Sequence, residues 1–243
     1  MKERQPIVNA PGIVVGLLAL FVAIHLLRTQ LLTEVQDASL IELLAFIPAR
    51  LSSIGPEIYG GGTAAFTQFA THAFLHGDIT HLLMNSAWFL AFGTSVARRT
   101  GAMRFLAFSL LCAIGGALCY LVFNIGSYNP MIGASGAISG LMGAAFRFLL
   151  PVLNEADLDG IAGETRQPPL LNLRATFSNR RILAFIAGWT GLNILLAWGA
   201  SGLIDGVSIA WEAHVGGFYT GLLTYGFFDR PLAYVHQNVA GAE

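Results

Sequence analysis

Apolar and polar stretches alternate along the chain, and six apolar stretches approach the roughly 20 residues that an α-helix needs to cross a bilayer. The pattern predicts an all-α membrane protein: one bundle of six transmembrane helices over residues 1–243, with a long first outer loop at the membrane interface. Apart from the charged linker at 153–180, the later connections are short, so no separate soluble domain is expected. The predicted spans are 12–30, 79–97, 103–123, 135–152, 181–200 and 207–228.

The composition indicates that lipid is the solvent of this chain. Charged residues make up 11% of the sequence and hydrophobic residues 55%, whereas a soluble domain carries about 25% charged residues. The net charge of −1 gives no reason to expect a nucleic-acid partner. The first apolar run lacks a clear small-residue cleavage site, so we expect a retained helix and not a removed signal peptide.

Basic residues are distributed unequally between the two sides of the predicted bundle. With six spans, the termini, the 98–104 turn and the 153–180 loop share one side, while Arg28 and Arg50 lie on the other. Lys and Arg concentrate in cytoplasmic loops, so the richer side, with both termini, is expected to be cytoplasmic. That side collects Lys2, Arg4, Arg98, Arg99, Arg104, Arg147, Arg166, Arg174, Arg180, Arg181 and Arg230.

Polar residues also occur in or beside the spans, where hydrocarbon should exclude them, and such residues mark functional sites by default. Ser135 stands at the start of the fourth span, where unpaired N–H groups and the positive end of the helix dipole favour an oxyanion. Taken alone, Ser135 also fits a helix N-cap, and His214 also fits a hydrogen-bonded residue near the interface.

Ser135 and His214 are expected at similar depth, because the fourth and sixth spans both start at the outer side. Stripes of small residues on these two spans permit close approach of the helices. Such packing would bring the hydroxyl and the imidazole within hydrogen-bonding reach, as a nucleophile and its base require. The stripes consist of Gly136, Gly140 and Gly143 on the fourth span, and Gly217 and Gly221 on the sixth.

Candidate oxyanion donors lie on the second span. His81 and Asn85 are four residues apart and therefore share one helix face. Their N–H groups, together with the backbone N–H of Ser135, would stabilise a developing oxyanion. No acidic residue lies within the apolar cores, so a Ser–His dyad is predicted, with Glu212 a weaker candidate for orienting the base at His214.

Two further histidines precede the second span. A metal site made of His72, His76 and His81 is the weaker reading, because no cysteine or acidic residue is spaced to complete an HExxH-type site. We expect instead that His72 and His76 form hydrogen bonds that tie the first loop to the second span. No metal and no cofactor are therefore predicted.

Three short motifs, taken together and in this order, resemble the rhomboid family of intramembrane serine proteases. The resemblance covers about 12–228 and implies a six-span rhomboid-like bundle. It also implies that Ser135 is the nucleophile, that His214 is the base, and that the oxyanion site consists of His81, Asn85, the Ser135 backbone N–H and Gly133. The motifs are His81-Leu82-Leu83-Met84-Asn85, Gly133-Ala134-Ser135-Gly136, and Ala213-His214-Val215-Gly216-Gly217 with Gly221.

Two positions depart from the pattern of the family. Many members carry Trp-Arg where Thr67-Gln68 stand here, which bears on the packing of the first loop. Many also carry tyrosine four residues after the serine, where Ser139 stands here, so His214 is less buttressed or is oriented by another group. Trp88 falls where many bacterial members place an aromatic residue against the fifth helix, at a proposed lateral gate.

The expected function is that of a serine endopeptidase in a bacterial inner membrane, acting within lipid on single-span membrane proteins near the outer interface. One alternative is a non-catalytic rhomboid-like protein that binds membrane clients, although such relatives generally lack the serine or the histidine. The other is a small transporter, whose expected inverted repeats are not seen in the sequence.

Overall fold

The computed structural model describes residues 9–53, 57, 61–151, 168–203 and 210–230. Within these ranges the chain is predominantly helical, and the β-type pairing is an isolated bridge between Phe46 and Met131. Several predicted features fall outside the described residues: the basic N-terminal residues Lys2 and Arg4, most of the 153–180 linker, and the first residues of the 207–228 span.

Each predicted span overlaps a helix of the described ranges, and the first loop carries two further α-helices. Wider π-helical turns extend α1 over Leu27–Leu31 and join α4 to α5 over Phe89–Gly93. The α-helices of the described ranges are α1 Gly12–Leu26, α2 Glu34–Leu44, α3 Gly61–Thr71, α4 Ile79–Trp88, α5 Thr94–Thr100, α6 Ala102–Phe123, α7 Ser135–Phe146, α8 Leu173–Ser178, α9 Arg180–Leu203 and α10 Trp211–Thr224.

The lengths of these helices bear on the predicted number of spans. Two described helices, Gly12–Leu31 and Ala102–Phe123, are by themselves long and apolar enough to cross a membrane, and Ser135–Phe146 is a shorter apolar helix. The fourth span was predicted to reach residue 152, yet α7 ends at Phe146. The side chain of Arg147 there donates to the Leu171 and Leu222 carbonyls, and Pro151 disfavours a helical conformation of the residue before it.

Helices α6, α7 and α10 form the centre of the fold through glycines that leave no room for a side chain. A Cβ on Gly217 would overlap the Gly136 carbonyl, and one on Gly221 would overlap the Gly140 carbonyl. A Cβ on Gly140 would in turn overlap the Cys112 side chain of α6. The backbones of α7 and α10 are therefore in direct contact, as small-residue faces allow between membrane helices.

Helix α9 packs on α10 in an antiparallel register. Trp189 of α9 stacks on Phe218 of α10 with ring centroids 4.7 Å apart and an interplanar angle of 18°. Ile182 and Ile186 of α9 are buried against Phe218 and Leu222 of α10. This apolar seam fixes which residues of α9 face α10 one turn farther along.

The first loop is hydrogen-bonded to the segment that precedes α7. Phe46 and Met131 exchange two backbone hydrogen bonds of 2.9 Å, and the N–H of Gly133 donates to the His72 carbonyl at 2.9 Å. The N–H of Ala49 also donates to the Ser127 carbonyl at 2.9 Å. These bonds hold the backbone just before Ser135 at several points.

A buried polar network supports the first loop. The Gln68 side chain is fully buried, and its Oε1 accepts from the Ile47 N–H at 2.9 Å and from the Arg50 guanidinium at 3.0 Å. Arg50, which is 2% exposed, also donates to the carbonyls of Ala45 and Glu42. The first loop thus packs around Gln68, which stands where many family members carry arginine, and around Arg50, which comes from an earlier part of the same loop.

A second polar cluster closes the opposite end of the bundle. Arg99 at the end of α5 forms a buried ion pair with Asp229, at 2.7 Å, just after α10. Arg99 also donates to the Pro168 carbonyl at 2.6 Å, and its guanidinium lies 4.6 Å from the centre of the Phe148 ring. Tyr225 donates to the same carboxylate at 3.2 Å, so this cluster joins segments that are distant in sequence.

Candidate active site

Ser135 and His214 are hydrogen-bonded to each other although 79 residues separate them. The Ser135 Oγ lies 2.8 Å from the His214 Nε2, and both side chains are half-buried. Ser135 is the first residue of α7, and Ala134 occupies the cap position without a side-chain capping bond. The Ser135 hydroxyl therefore contacts an imidazole and does not serve as the N-cap of α7.

The glycine contacts between α7 and α10 explain why the two side chains meet. Gly136 follows Ser135 directly, and Gly217 lies almost one turn beyond His214. Because a Cβ on Gly217 would overlap the Gly136 carbonyl, the backbones touch beside the hydroxyl and the imidazole. A side chain at Gly217 would therefore push α7 and α10 apart beside Ser135 and His214.

His81 and Asn85 of α4 both approach Gly133, two residues before Ser135. A Cβ built on Gly133 would lie 2.7 Å from the His81 Nε2 and 3.5 Å from the Asn85 Nδ2. Gly133 has a φ of +119°, a conformation that side chains disfavour. Residue 133 is therefore restricted to glycine by its backbone conformation and by the lack of space for a Cβ. The absence of a side chain there lets the His81 Nε2 and the Asn85 Nδ2 lie close to its backbone.

The hydrogen bonds around these nitrogens leave donors available. The His81 Nδ1 accepts from the Gly77 N–H at 3.4 Å, which places the ring proton of a neutral His81 on Nε2, the atom facing Gly133. The Asn85 Nδ2 is buried and has no partner among the described residues. A buried amide N–H without a partner is unfavourable, and an oxyanion would satisfy it.

The structure adds a residue that the sequence reasoning missed. The Asn193 Oδ1 of α9 lies 2.9 Å from the His214 Nδ1, on the side of the ring opposite Ser135. Asn193 is 6% exposed, and its Nδ2 donates to the Trp189 carbonyl at 2.9 Å. The available signal was a lone carboxamide within an apolar span, which is the kind of residue that marks sites in membranes.

Glu212, the weaker candidate for orienting His214, has a different partner. The Glu212 carboxylate accepts from the Asn124 Nδ2 at 3.1 Å, so it binds the end of α6 and not His214.

The His72 Nδ1 is 2.7 Å from the Gln68 carbonyl, and both of these residues are buried. The described residues contain no cluster of three potential metal ligands.

His76 departs from its expected role. It was predicted to hydrogen-bond between the first loop and the second span, yet neither nitrogen of its buried ring has a partner among the described residues. The ring instead packs edge-on against His81, 5.3 Å away, and against Phe21. The backbone of His76 instead contacts the end of the first span, since its carbonyl accepts from the Arg28 guanidinium at 2.8 Å.

Trp88 and Ser139, which the comparison with the family pattern singles out, lie on α4 and α7. Trp88 is half exposed and stacks on Phe92 with ring centroids 5.6 Å apart, at the junction of α4 and the π-helical turn. Ser139 is buried one turn after Ser135 on α7. The position thus holds a small side chain where many family members carry an aromatic ring.

The arrangement as a whole has the parts that acyl transfer requires. A hydroxyl contacts an imidazole, the imidazole contacts a third polar group, and N–H donors converge beside the hydroxyl at a glycine. A nucleophile beside its base and an oxyanion site would have this geometry. The structure is thus a helical bundle in which a serine hydroxyl, an imidazole and N–H donors converge.

A family model of the rhomboid domain matches residues 63–231. The chain belongs to the rhomboid family and is an integral membrane protein. The match spans α3 to the end of α10 and includes all the residues discussed above around Ser135 and His214.

Similar proteins carry rhomboid names. The chain is 29% identical over 166 residues, 64% of its length, to rhomboid protein 1 of mitochondria from Saccharomyces cerevisiae, covering 40% of that protein. It is 33% identical over 125 residues, 51% of its length, to the rhomboid protease GluP of Bacillus subtilis, covering 23% of it. It is 27% identical over 156 residues, 64% of its length, to the rhomboid protease GlpG of Yersinia pestis, covering 46% of it. The chain thus spans less than half the length of these relatives.

Proposed function

We propose that this protein is an intramembrane serine endopeptidase that cleaves transmembrane helices of single-span membrane proteins near the outer interface. The observation that carries the proposal is the 2.8 Å contact between the Ser135 Oγ and the His214 Nε2 at the start of α7. Two relatives are named rhomboid proteases, which supports the same class of reaction.

The proposed reaction begins at the hydroxyl of Ser135. Its oxygen attacks a peptide carbonyl carbon of the substrate while its proton moves to the Nε2 of His214. The carbonyl π electrons move to the oxygen, and Asn85, His81 and the Ser135 backbone N–H donate to the resulting oxyanion. The C–N bond then breaks, and the proton on Nε2 passes to the leaving amine.

Hydrolysis completes the cycle. Water attacks the acyl carbon, and His214 takes one of its protons. Collapse of the second tetrahedral intermediate releases the new carboxyl end as the Ser135 oxygen regains a proton from Nε2. Each proton that reaches the imidazole is returned, so the cycle needs neither a metal nor an organic cofactor.

The substrate of such a site must unwind locally. A transmembrane helix keeps its carbonyl groups in intrahelical hydrogen bonds, which hides them from a nucleophile. Small or helix-breaking residues near the outer end of the substrate helix would lower the cost of unwinding. In this proposal the substrate approaches sideways between the second and fifth spans, near Trp88.

The membrane arrangement is part of the proposal. Six spans, formed by α1, α4–α5, α6, α7, α9 and α10, would place both termini in the cytoplasm of a bacterium and the Ser135–His214 pair near the outer face. The asymmetry of basic residues supports this orientation. Reporter fusions at each terminus measure it directly, and a reporter active outside the cell at either end would contradict it.

Replacement of the proposed nucleophile tests the function. We expect Ser135→Ala to abolish cleavage of a panel of single-span substrates by the purified protein in lipid, while thermal unfolding stays near that of the wild type. The matched control is Ser95→Ala, because the Ser95 hydroxyl bonds the Ala91 carbonyl of its own helix and does not touch the site. Cleavage that persists in Ser135→Ala would remove the proposed role of this serine.

Labelling by a fluorophosphonate probe distinguishes the enzyme from a client-binding relative. An activated Ser135 is expected to react covalently with the probe, and the Ser135→Ala protein is not. A wild-type protein that neither cleaves nor reacts, yet captures single-span proteins in lipid, would be a non-catalytic binder.

A further inference from the structure

We propose that Asn193 is a positioning residue for the base: its carboxamide oxygen holds His214 in the tautomer that keeps Nε2 free to accept the proton of Ser135. The inference rests on the proposed Ser135–His214 chemistry and adds to it a third member from α9. Nothing in the sequence pattern had connected Asn193 to the other two residues.

The tautomer follows from the hydrogen bonds of the amide. A carboxamide presents an oxygen that only accepts and a nitrogen that only donates. The Nδ2 of Asn193 donates to the Trp189 carbonyl at 2.9 Å, which turns the Oδ1 toward His214. The Oδ1 lies 2.9 Å from the His214 Nδ1, so this ring nitrogen must carry a proton to form the bond.

A flipped amide would give the opposite result. It would place oxygen against the oxygen of the Trp189 carbonyl and an N–H against the Nδ1 of His214, which favours a proton on Nε2. An imidazole with its proton on Nε2 cannot accept the proton of Ser135. The Trp189 carbonyl therefore selects the productive orientation of the amide, and the amide selects the productive tautomer.

Packing places Asn193 opposite His214 independently of the amide itself. Trp189 lies four residues before Asn193 on α9, and Phe218 lies four residues after His214 on α10. The rings of Trp189 and Phe218 stack on each other. Thr190 of α9 also hydrogen-bonds Tyr219 of α10 at 3.1 Å. The antiparallel register set by these contacts brings residue 193 to the level of residue 214.

Because Asn193 is buried, its amide needs hydrogen-bond partners within the protein. Asn193 is 6% exposed and lies between the apolar residues Leu192 and Ile194, and a buried amide without partners is unfavourable. Here both ends of the amide are bonded. Among the described carboxylates, the one nearest to His214 in sequence, Glu212, is bound to Asn124 instead.

The reaction then assigns one function to each ring nitrogen. In the resting state Nδ1 carries the proton bonded to Asn193, and the lone pair of Nε2 faces the Ser135 hydroxyl. As the serine oxygen bonds to the carbonyl carbon, its proton joins Nε2 and the ring becomes an imidazolium with Nδ1–H still held by Asn193. A neutral amide orients this cation but stabilises it less than a carboxylate would, so the expected contribution is smaller than that of an acidic triad member.

Substitution at Asn193 tests the proposal. We expect Asn193→Leu, which removes both polar atoms at similar volume, to lower kcat roughly 10- to 100-fold with KM within about twofold, well short of the roughly 10⁴-fold loss from a wrong tautomer in an acidic triad. Asn193→Asp keeps an acceptor toward Nδ1 and is expected to retain at least about tenfold more activity than Asn193→Leu. The control is Gly188→Ala on the same helix, where no atom lies within 4 Å of the added Cβ, and it is expected to keep wild-type kcat.

Two measurements separate positioning from simple stability. Thermal unfolding identifies variants that lose activity by losing the fold, and ¹⁵N NMR of the labelled histidines reports which nitrogen of His214 is protonated. A signal for Nδ1–H in the wild type and a mixture of tautomers in Asn193→Leu supports the proposal. Wild-type kcat in Asn193→Leu, or an Nε2-protonated ring in the resting wild type, overturns it.

The fluorophosphonate reaction keeps this test distinct from that of the proposed function. Its rate depends on activation of Ser135 but not on recognition of a protein substrate. If Ser135→Ala abolishes cleavage while Asn193→Leu reacts with the probe at the wild-type rate, the enzyme assignment stands and the role of Asn193 falls. If the wild type reacts with no probe and cleaves no substrate, both assignments fall together.

Discussion

At the scale of single residues, the donors around Gly133 differ in how firmly they are held. His81 is fixed at both ends: its backbone N–H donates to the Asp78 carboxylate at 2.8 Å, and its Nδ1 accepts from the Gly77 N–H at 3.4 Å. The Asn85 Nδ2 is buried without a partner in the described part of the chain. If the proposed oxyanion forms beside Gly133, Asn85 is the donor that would gain most from it, because its N–H groups have no other partner among the described residues.

This difference leads to a prediction for Asn85. Asn85→Ala should lower kcat by about 10²- to 10³-fold with little change in KM, because the lost bond forms mainly in the transition state. Steady-state kinetics on a single-span substrate in lipid provides the measurement, with Ser86→Ala as the neighbouring control. A rise in KM with unchanged kcat would show that Asn85 contributes to substrate binding instead.

Polar residues that interrupt apolar runs were the strongest signal of the site in the sequence. Ser135, His214, His81 and Asn85 were selected on that basis, and the structure brings them to one place. Asn193 interrupts an apolar run in the same way, but no motif or glycine stripe accompanied it, so its partner could not be inferred. Its contact with His214 depends on the register of α9 against α10, which hydropathy does not encode.

At the scale of helices, the contact between α7 and α10 determines the geometry of the site. The location of the apolar runs followed from hydropathy, although among the described helices only Gly12–Leu31 and Ala102–Phe123 are by themselves long and apolar enough to cross a membrane. The end of α7 at Phe146 did not, since it depends on Arg147 reaching carbonyls of two distant segments. Tertiary hydrogen bonds of this kind leave no trace in local sequence periodicity.

The close contact of α7 and α10 predicts the effect of a single methyl group. In Gly221→Ala the added Cβ would overlap the Gly140 carbonyl, so the helices must separate, at a cost of about 1–3 kcal/mol in the free energy of unfolding and a loss of activity. Thermal unfolding in detergent and the cleavage rate measure the two effects.

The control for this substitution is Gly188→Ala on α9, where no atom lies within 4 Å of the added Cβ. Alanine is favoured over glycine in a helix, so this variant is expected to be as stable as the wild type or slightly more stable. Equal stability of Gly221→Ala and Gly188→Ala would mean that α7 and α10 yield at little cost.

At the scale of the whole molecule, two polar clusters hold opposite ends of the bundle. Gln68 and Arg50 organise the first loop near Ser135, while Arg99 and Asp229 join α5 to the end of α10. The side chains of the ion pair are only 5% and 7% exposed. A buried charge that loses its partner is strongly destabilising, more so than loss of the pair as a whole.

A double-mutant cycle should reveal this asymmetry. Asp229→Leu alone is expected to lower the free energy of unfolding by about 3–5 kcal/mol, because Arg99 stays buried without its counter-charge. The double variant Arg99→Met with Asp229→Leu should recover much of that loss. The exposed Arg174→Ala serves as the control, and additive losses in the cycle would show that the pair is not coupled.

Helix α9 has two assignments in this protein: it carries Asn193, and it borders the side through which a substrate helix is proposed to arrive. Displacing the outer part of α9 to admit a substrate would withdraw the Asn193 carboxamide from His214, so the imidazole of the open protein would lose the hydrogen bond that orients it. Return of α9 over the bound chain would restore this bond. If substrates enter by this route, cleavage would require α9 to close over the bound chain, and membrane helices that keep α9 displaced would not be cut.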